Sequence, residues 1–141
     1  MFSLEKNGDF ICLQSPCSTT KARFCLRRGG SLDSLVIENT HIITNLNPLS
    51  PQKMYPSSVL FPFANRIKDG KYNFNNNNYA FDCNEAAANN ALHGLVYNKT
   101  FNFTAKKLTS EFASLQLSYE AKIPNNSFPF NYRINLLYKL T

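Results

Sequence analysis

From Tyr132 to Leu140 the chain alternates. Tyr132, Ile134, Leu136, Tyr138 and Leu140 are apolar or aromatic, and Arg133, Asn135, Leu137 and Lys139 stand between them. Leu115, Leu117 and Tyr119 alternate in the same way with Gln116, Ser118 and Glu120. A period of two sends successive side chains to opposite faces of a strand, so each segment reads as a half-buried antiparallel strand. No window carries a helical stripe over three turns. The apolar residues must therefore be buried between sheets, and the fold class is all-β, a sandwich.

The rest of the chain follows the same grammar of short strands and frequent turns. Phe10–Leu13 and Ala22–Leu26 read as strands, and Gly29-Gly30 turns the chain into a third over Ser31–Glu38. His41–Thr44 is a short β-branched run. Pro48, Pro51 and Pro56 make a loop of Asn45–Ser58. Lys71–Asn75 and Asn78–Phe81 form a hairpin with Asn76-Asn77 at its tip, since Asn tolerates the positive φ of tight turns. Pro124-Asn125-Asn126 and Phe128-Pro129-Phe130 form the turn and entry before the last strand.

Length and composition limit what this sheet-forming chain can be. Its 141 residues suit a single domain over 1–141 with a real core, and 43% hydrophobic residues with 12 Phe and 7 Tyr argue against disorder. No apolar run approaches the roughly 20 residues of a membrane-spanning helix. The net charge of +6 is spread out, its densest stretch being Lys21 to Arg28, which does not point to a nucleic-acid partner. The cysteines at 12, 17, 25 and 83 lack zinc-site spacing, so no metal is expected. Met1–Asn7 has no signal-peptide core, and the expectation is a cytoplasmic protein with reduced, partly buried thiols.

Two segments depart from strand-and-turn grammar. Leu60-Phe61-Pro62-Phe63-Ala64-Asn65-Arg66-Ile67 and Asn89-Asn90-Ala91-Leu92-His93-Gly94-Leu95-Val96 each set polar groups in an apolar context. Arg66 among aromatics is costly to bury without a partner, and Gly94 allows close approach of backbone or ligand. Singly, an Arg beside a strand is most often exposed or structurally paired, and a lone His is most often a satisfied core residue. Together they suggest a polar-ligand site walled by aromatics, which suits a sugar: hydroxyls take hydrogen bonds and C–H faces rest on rings.

The run Leu60–Tyr72, with Asn89–Gly94 following at this distance, resembles the aldose 1-epimerase (galactose mutarotase) family. Gly30-Ser31-Leu32-Asp33-Ser34-Leu35 is similar to its early Gly-containing strand, Tyr72-Asn73-Phe74 and Tyr79-Ala80-Phe81 to its hairpin, and Asn84-Glu85 to the Asn that follows. The resemblance covers most of the chain and is most specific from Leu60 to Val96. It implies the N-terminal part of a galactose mutarotase-like β-supersandwich. The implied activity interconverts α and β anomers of free aldohexoses, galactose or glucose, by acid–base ring opening and closure without a cofactor.

By the same resemblance Arg66 and His93 are substrate-binding, and Asn65 joins them mainly by shaping the loop. The family's catalytic acid is a second His and its base a late Glu, with a sugar-binding Asp between; all three are expected beyond Thr141. No catalytic residue is thus assigned within this chain. His41 does not match the second His, and Glu85, Glu111 and Glu120 do not match the base. Ala64 stands where the family commonly has Pro, and Ala86-Ala87-Ala88 replaces a more Gly- or Pro-like stretch. The expected behaviour is that of a sugar-binding half, a very poor mutarotase alone, self-associating or awaiting a C-terminal half. The alternatives are a non-catalytic carbohydrate-binding β-domain, a structural or interaction β-domain that keeps the motif for packing, and a hexose-6-phosphate epimerase relative.

Overall fold

A computed structural model describes residues 1–44, 54–122 and 127–141. The turn expected at Pro124-Asn125-Asn126 and most of the loop expected over Asn45–Ser58 lie outside these residues. The complete elements among the described residues are β-strands and a 3₁₀ turn at Ala86–Ala88. It divides into two compact units: Met1–Val59 with Tyr97–Tyr119 and Ile134–Thr141, and Leu60–Val96 with Glu120–Arg133.

The first unit begins with an antiparallel meander of five strands: β1 (Ser3–Asn7), β2 (Phe10–Gln14), β3 (Lys21–Cys25), β4 (Ser31–Ile37) and β5 (Thr40–Ile43). Alternation sets its inner face. Ile11 and Leu13 are buried opposite Phe24 and Ala22. Lys21 and Arg23, between those inward positions, are exposed. A second sheet has the order β10 (Asn102–Leu108), β11 (Ala113–Ala121) and β12 (Tyr132–Leu140). Ala113, Leu115 and Leu117 are fully buried, as is Phe101 just ahead of β10.

Contacts at Gly30 join the two sheets of this unit. Gly30 has φ +67, and a Cβ there would come within 2.9 Å of Leu117 and 3.0 Å of Leu136. The Tyr138 hydroxyl donates to the Gly30 carbonyl at 3.0 Å, and its ring lies 4.3 Å from that of Phe24. Phe101 N–H donates to Leu26 and Gly29 N–H to Lys99, each at 2.9 Å. The basic stretch is partly neutralised locally. Arg23 donates to Asp33 at 2.8 Å and Arg28 also pairs with Asp33, whose side chain is largely covered.

The second unit holds two small ladders. β6 (Arg66–Lys68) pairs with β9 (Asn90–Leu92), and β7 (Lys71–Phe74) with β8 (Asn77–Ala80). The hairpin turns at Asn75-Asn76, one residue earlier than the sequence suggests. Both have positive φ, 48° and 60°, as a two-residue turn between twisted strands requires. The earlier register lets Tyr72 stack on Tyr79 directly opposite and on Phe81, while the Asn73 amide donates to Asn78.

Three further departures have physical causes. β1 carries one apolar residue among polar ones and is an edge strand, so it shows no alternation. β10 is broken by a bulge between Phe103 and Ala105, which shifts the period halfway along. β6 and β9 are three residues long, too short for a pattern. The four cysteines are free, with Cys25 buried and Cys12 and Cys83 half-buried. Cys17 is instead exposed, and hydrogen bonds with Ser15 and then Thr19 bring its thiol down to about 7.

The core assignment predicts a contrast within the second sheet. Leu115→Ala should cost about 2–5 kcal/mol, because Leu115 is completely enclosed. Leu137→Ala should stay within about 0.5 kcal/mol, because Leu137 is 65% exposed. Chemical denaturation midpoints check both.

Candidate functional site

The loop ahead of β6 brings the two unusual segments together. Its rings anchor it within the second unit: Phe61 lies 4.8 Å from Tyr132 and 5.8 Å from Phe128, and Phe63 lies 4.9 Å from Phe81. Asn65 follows with φ 67, a left-handed value that Asn tolerates better than most residues. Beyond it the chain enters β6, where Arg66 stands opposite Leu92 of β9.

At the end of this ladder Asn65 and His93 bond each other twice. His93 N–H donates to the Asn65 carbonyl at 3.0 Å, and Asn65 N–H donates to Nδ1 of His93 at 3.1 Å. An Nδ1 that accepts leaves the ring proton of the neutral imidazole on Nε2. His93 itself has φ 63. Gly94 then pairs with Phe61, and Leu95 N–H donates to the Phe61 carbonyl at 2.6 Å. A Cβ at position 94 would sit 2.1 Å from that carbonyl oxygen, so only glycine fits.

Arg66 is exposed rather than buried, and it has a partner. Its Nε and Nη2 donate to the two oxygens of Glu85 at 2.8 and 2.7 Å, and Nη1 lies 3.4 Å from the Asn65 amide oxygen. Glu85 is itself fixed. The Asn90 amide donates to its Oε2 at 2.8 Å, and the backbones of residues 85 and 90 form a bridge. The hydrogen bond from Arg66 and then that from Asn90 bring the Glu85 carboxyl down to about 2, and Glu85 raises the Arg66 guanidinium above its ordinary value.

Asn84 completes the frame. Its amide oxygen accepts Leu92 N–H at 2.7 Å, and its NH₂ donates to the Leu92 carbonyl at 2.9 Å. One side chain thereby does the work of a strand neighbour for the residue just before His93. The alanines 86–88 form the 3₁₀ turn that returns the chain from Glu85 to β9, closed by Asn89 in the left-handed conformation.

All three sequence candidates, Asn65, Arg66 and His93, are thus in one cluster. Glu85, Asn84 and Asn90 were missed as its supports. The expectation that Arg66 needs a partner was the available signal, but Asp69, Asp82 and Glu85 all lie within reach in sequence. Only the 84–92 turn selects Glu85. His41 is exposed on β5, and Glu120 receives Arg133 at 3.1 Å. A hollow of about 440 Å³ along the β7–β8 hairpin is lined by Tyr72 and Tyr79 and includes none of the cluster. Among the described residues no group of three or more His, Cys, Asp or Glu could hold a metal ion, and no helix is long and apolar enough to cross a membrane.

Two outcomes follow from this geometry. Gly94→Ala should cost at least about 1–3 kcal/mol in left-handed strain alone and open the Asn65–His93 pair. Faster amide hydrogen exchange at both residues checks it. The Glu85 carboxyl titrates near 2 when folded against an ordinary 4.5, so its stabilisation is complete above about 4.5 and is lost as pH falls toward 2. Melting curves of the native chain and Glu85→Gln should differ by a constant amount from pH 5 to 8 and converge near pH 2.

Comparison with known proteins identifies the family and the fold. The family model for aldose 1-epimerase matches residues 11–141. An uncharacterised Escherichia coli K12 protein, YihR, is 25% identical over 112 residues, covering 79% of this chain and 35% of that protein. A galactose mutarotase-like protein from Clostridium acetobutylicum superposes with a TM-score of 0.82 at 24% identity, over 100% of this chain and 45% of its own. Galactose 1-epimerase from Lactobacillus acidophilus gives 0.71 at 20%, over 99% of this chain and 44% of its own. The chain therefore spans less than half the length of these relatives, and its fold is the galactose mutarotase-like all-β sandwich. It belongs to the aldose 1-epimerase family.

Proposed function

We propose that this chain is the sugar-holding part of an aldose 1-epimerase, an isomerase acting without a cofactor on a free aldohexose such as galactose or glucose. The observation that carries the reading is the interlock of Asn65 and His93, which sets the Arg66 guanidinium and the His93 imidazole at one end of one short ladder. Arg66 then donates to sugar hydroxyls through Nη1 and Nη2, and His93 donates through Nε2 to the hydroxyls and ring region. Asn65 shapes the loop rather than touching the sugar, since its backbone is committed to His93.

Anomer exchange needs a base to take the proton from the anomeric hydroxyl and an acid to protonate the ring oxygen. The ring opens, C1–C2 rotates, and closure reverses the two roles. In this reading the acid and base belong to the part of such proteins that this chain does not span. Arg66 and His93 bind and orient. Each missing proton-transfer group forfeits about 10²–10⁴ in rate.

Ligand-observed NMR with galactose tests the reading. The native chain should bind, and Arg66→Ala and His93→Ala should each weaken binding at least about fivefold, the loss of one or more hydrogen bonds. Polarimetry of the 141-residue chain should show mutarotation close to the uncatalysed rate. No sugar binding by the native chain, or fast Arg66-dependent mutarotation, would overturn this assignment.

A further inference from the structure

The guanidinium of Arg66 has five N–H groups arranged as two forks. Glu85 occupies the side-on fork, Nε with Nη2, from a fixed position. On the end-on fork, Nη1 lies 3.4 Å from the Asn65 amide oxygen, and Nη2 keeps a second N–H besides the one given to Glu85. Such a fork fits two neighbouring hydroxyl oxygens. It fits a carboxylate or phosphate equally well, and an uncompensated arginine would prefer the anion. Fork geometry alone therefore does not choose a neutral sugar over an acidic one.

Charge makes that choice. The Glu85 carboxylate lies 2.7–2.8 Å from the guanidinium, so the pair is close to neutral as seen by an incoming ligand. Nδ1 of His93 accepts the Asn65 backbone N–H at 3.1 Å, so that nitrogen carries no proton in this arrangement. An anion on the end-on fork would face a second anion across the same guanidinium, and like charges so placed disfavour binding.

Building on the sugar-site reading above, we propose that Glu85 is the specificity-determining residue of this site: it orients Arg66 and cancels its charge, so that the site takes neutral aldoses and rejects sugar acids and sugar phosphates. Its carboxyl stays ionised throughout the physiological range, so the rejection does not switch off there. Asn90 serves as a positioning residue, holding Oε2 in place at 2.8 Å. Among the alternatives raised by the sequence, this arrangement disfavours a hexose-6-phosphate substrate.

The experiment titrates the 141-residue chain with galactose and with galacturonate, which share ring configuration and differ in charge. Both are followed by ligand-observed NMR at low and moderate salt. The native chain should prefer galactose, and added salt should narrow that preference by screening the repulsion. Glu85→Gln should shift the galacturonate-to-galactose affinity ratio upward by roughly tenfold, with the gained affinity falling as salt rises. Glu85→Asp keeps the charge one methylene further back. It should weaken galactose while preserving the preference against the anion, which separates charge from mere support. A folded Glu85→Gln with an unchanged ratio overturns the proposal alone, while galactose binding by the native chain stands. Galacturonate binding by the native chain that weakens with salt, as for a bare arginine, also overturns it and requires no variant. Binding of neither sugar by the native chain overturns the sugar-site reading and this inference with it.

Discussion

The backbone of Gly94 runs so close to the carbonyl of Phe61 that no side chain fits between them. That approach fixes the register of everything beside it. It sets His93 against Asn65, and the two exchange a backbone and a side-chain hydrogen bond. It also ends a ladder of only three residue pairs, too short to hold itself together. The ladder survives because it is held from outside, by the Gly94–Phe61 bridge beyond its Arg66–Leu92 end and along β9 by Asn84 on Leu92 and Glu85 on Asn90. Arg66 derives its direction from this frame, since an exposed arginine on a short strand would otherwise sample many rotamers.

What the sequence showed and what it hid follow from the range of the interactions involved. Alternation is a local property, so the long strands β11 and β12, and most of β2 to β4, are visible wherever one face is buried. A bulge hides β10 by breaking the period, and a polar edge hides β1. The hairpin was legible to within one residue, because a run of four asparagines offers two neighbouring places to turn and the sequence does not distinguish them. Facing of Tyr72 against Tyr79, a cross-strand interaction, selects the first.

The cluster was legible in Arg66 and His93 and hidden in its supports. Arg66 and His93 stand out because polar groups in apolar runs break a pattern. Asn84 and Glu85 break none, standing ahead of three alanines in a stretch that looks like an ordinary loop, and Asn90 shows only as part of the second unusual segment. Their roles depend on a 3₁₀ turn that folds residues 84–85 back onto 90–92, and nothing in three consecutive alanines announces that turn. The sequence carried the requirement that a buried Arg66 find a partner; Arg66 is exposed, and choosing its partner among nearby carboxylates takes three dimensions. The two compact units also sort this burden differently. The first is held mainly by buried aliphatic and aromatic side chains, and the site's unit adds ring contacts and side-chain amides to a smaller buried set of Phe81, Ala91, Leu92 and Val96.

Dependence on amides brings a chemical vulnerability. Asn84 both donates to and accepts from Leu92, a pairing that needs one carbonyl and one NH₂ on the same short side chain. Deamidation would turn that NH₂ into a carboxylate oxygen facing the Leu92 carbonyl, replacing an attraction by a repulsion next to His93 and placing a second negative charge beside Glu85. A molecule could thus age at one atom, with its aliphatic core untouched, and lose the frame that aims its arginine.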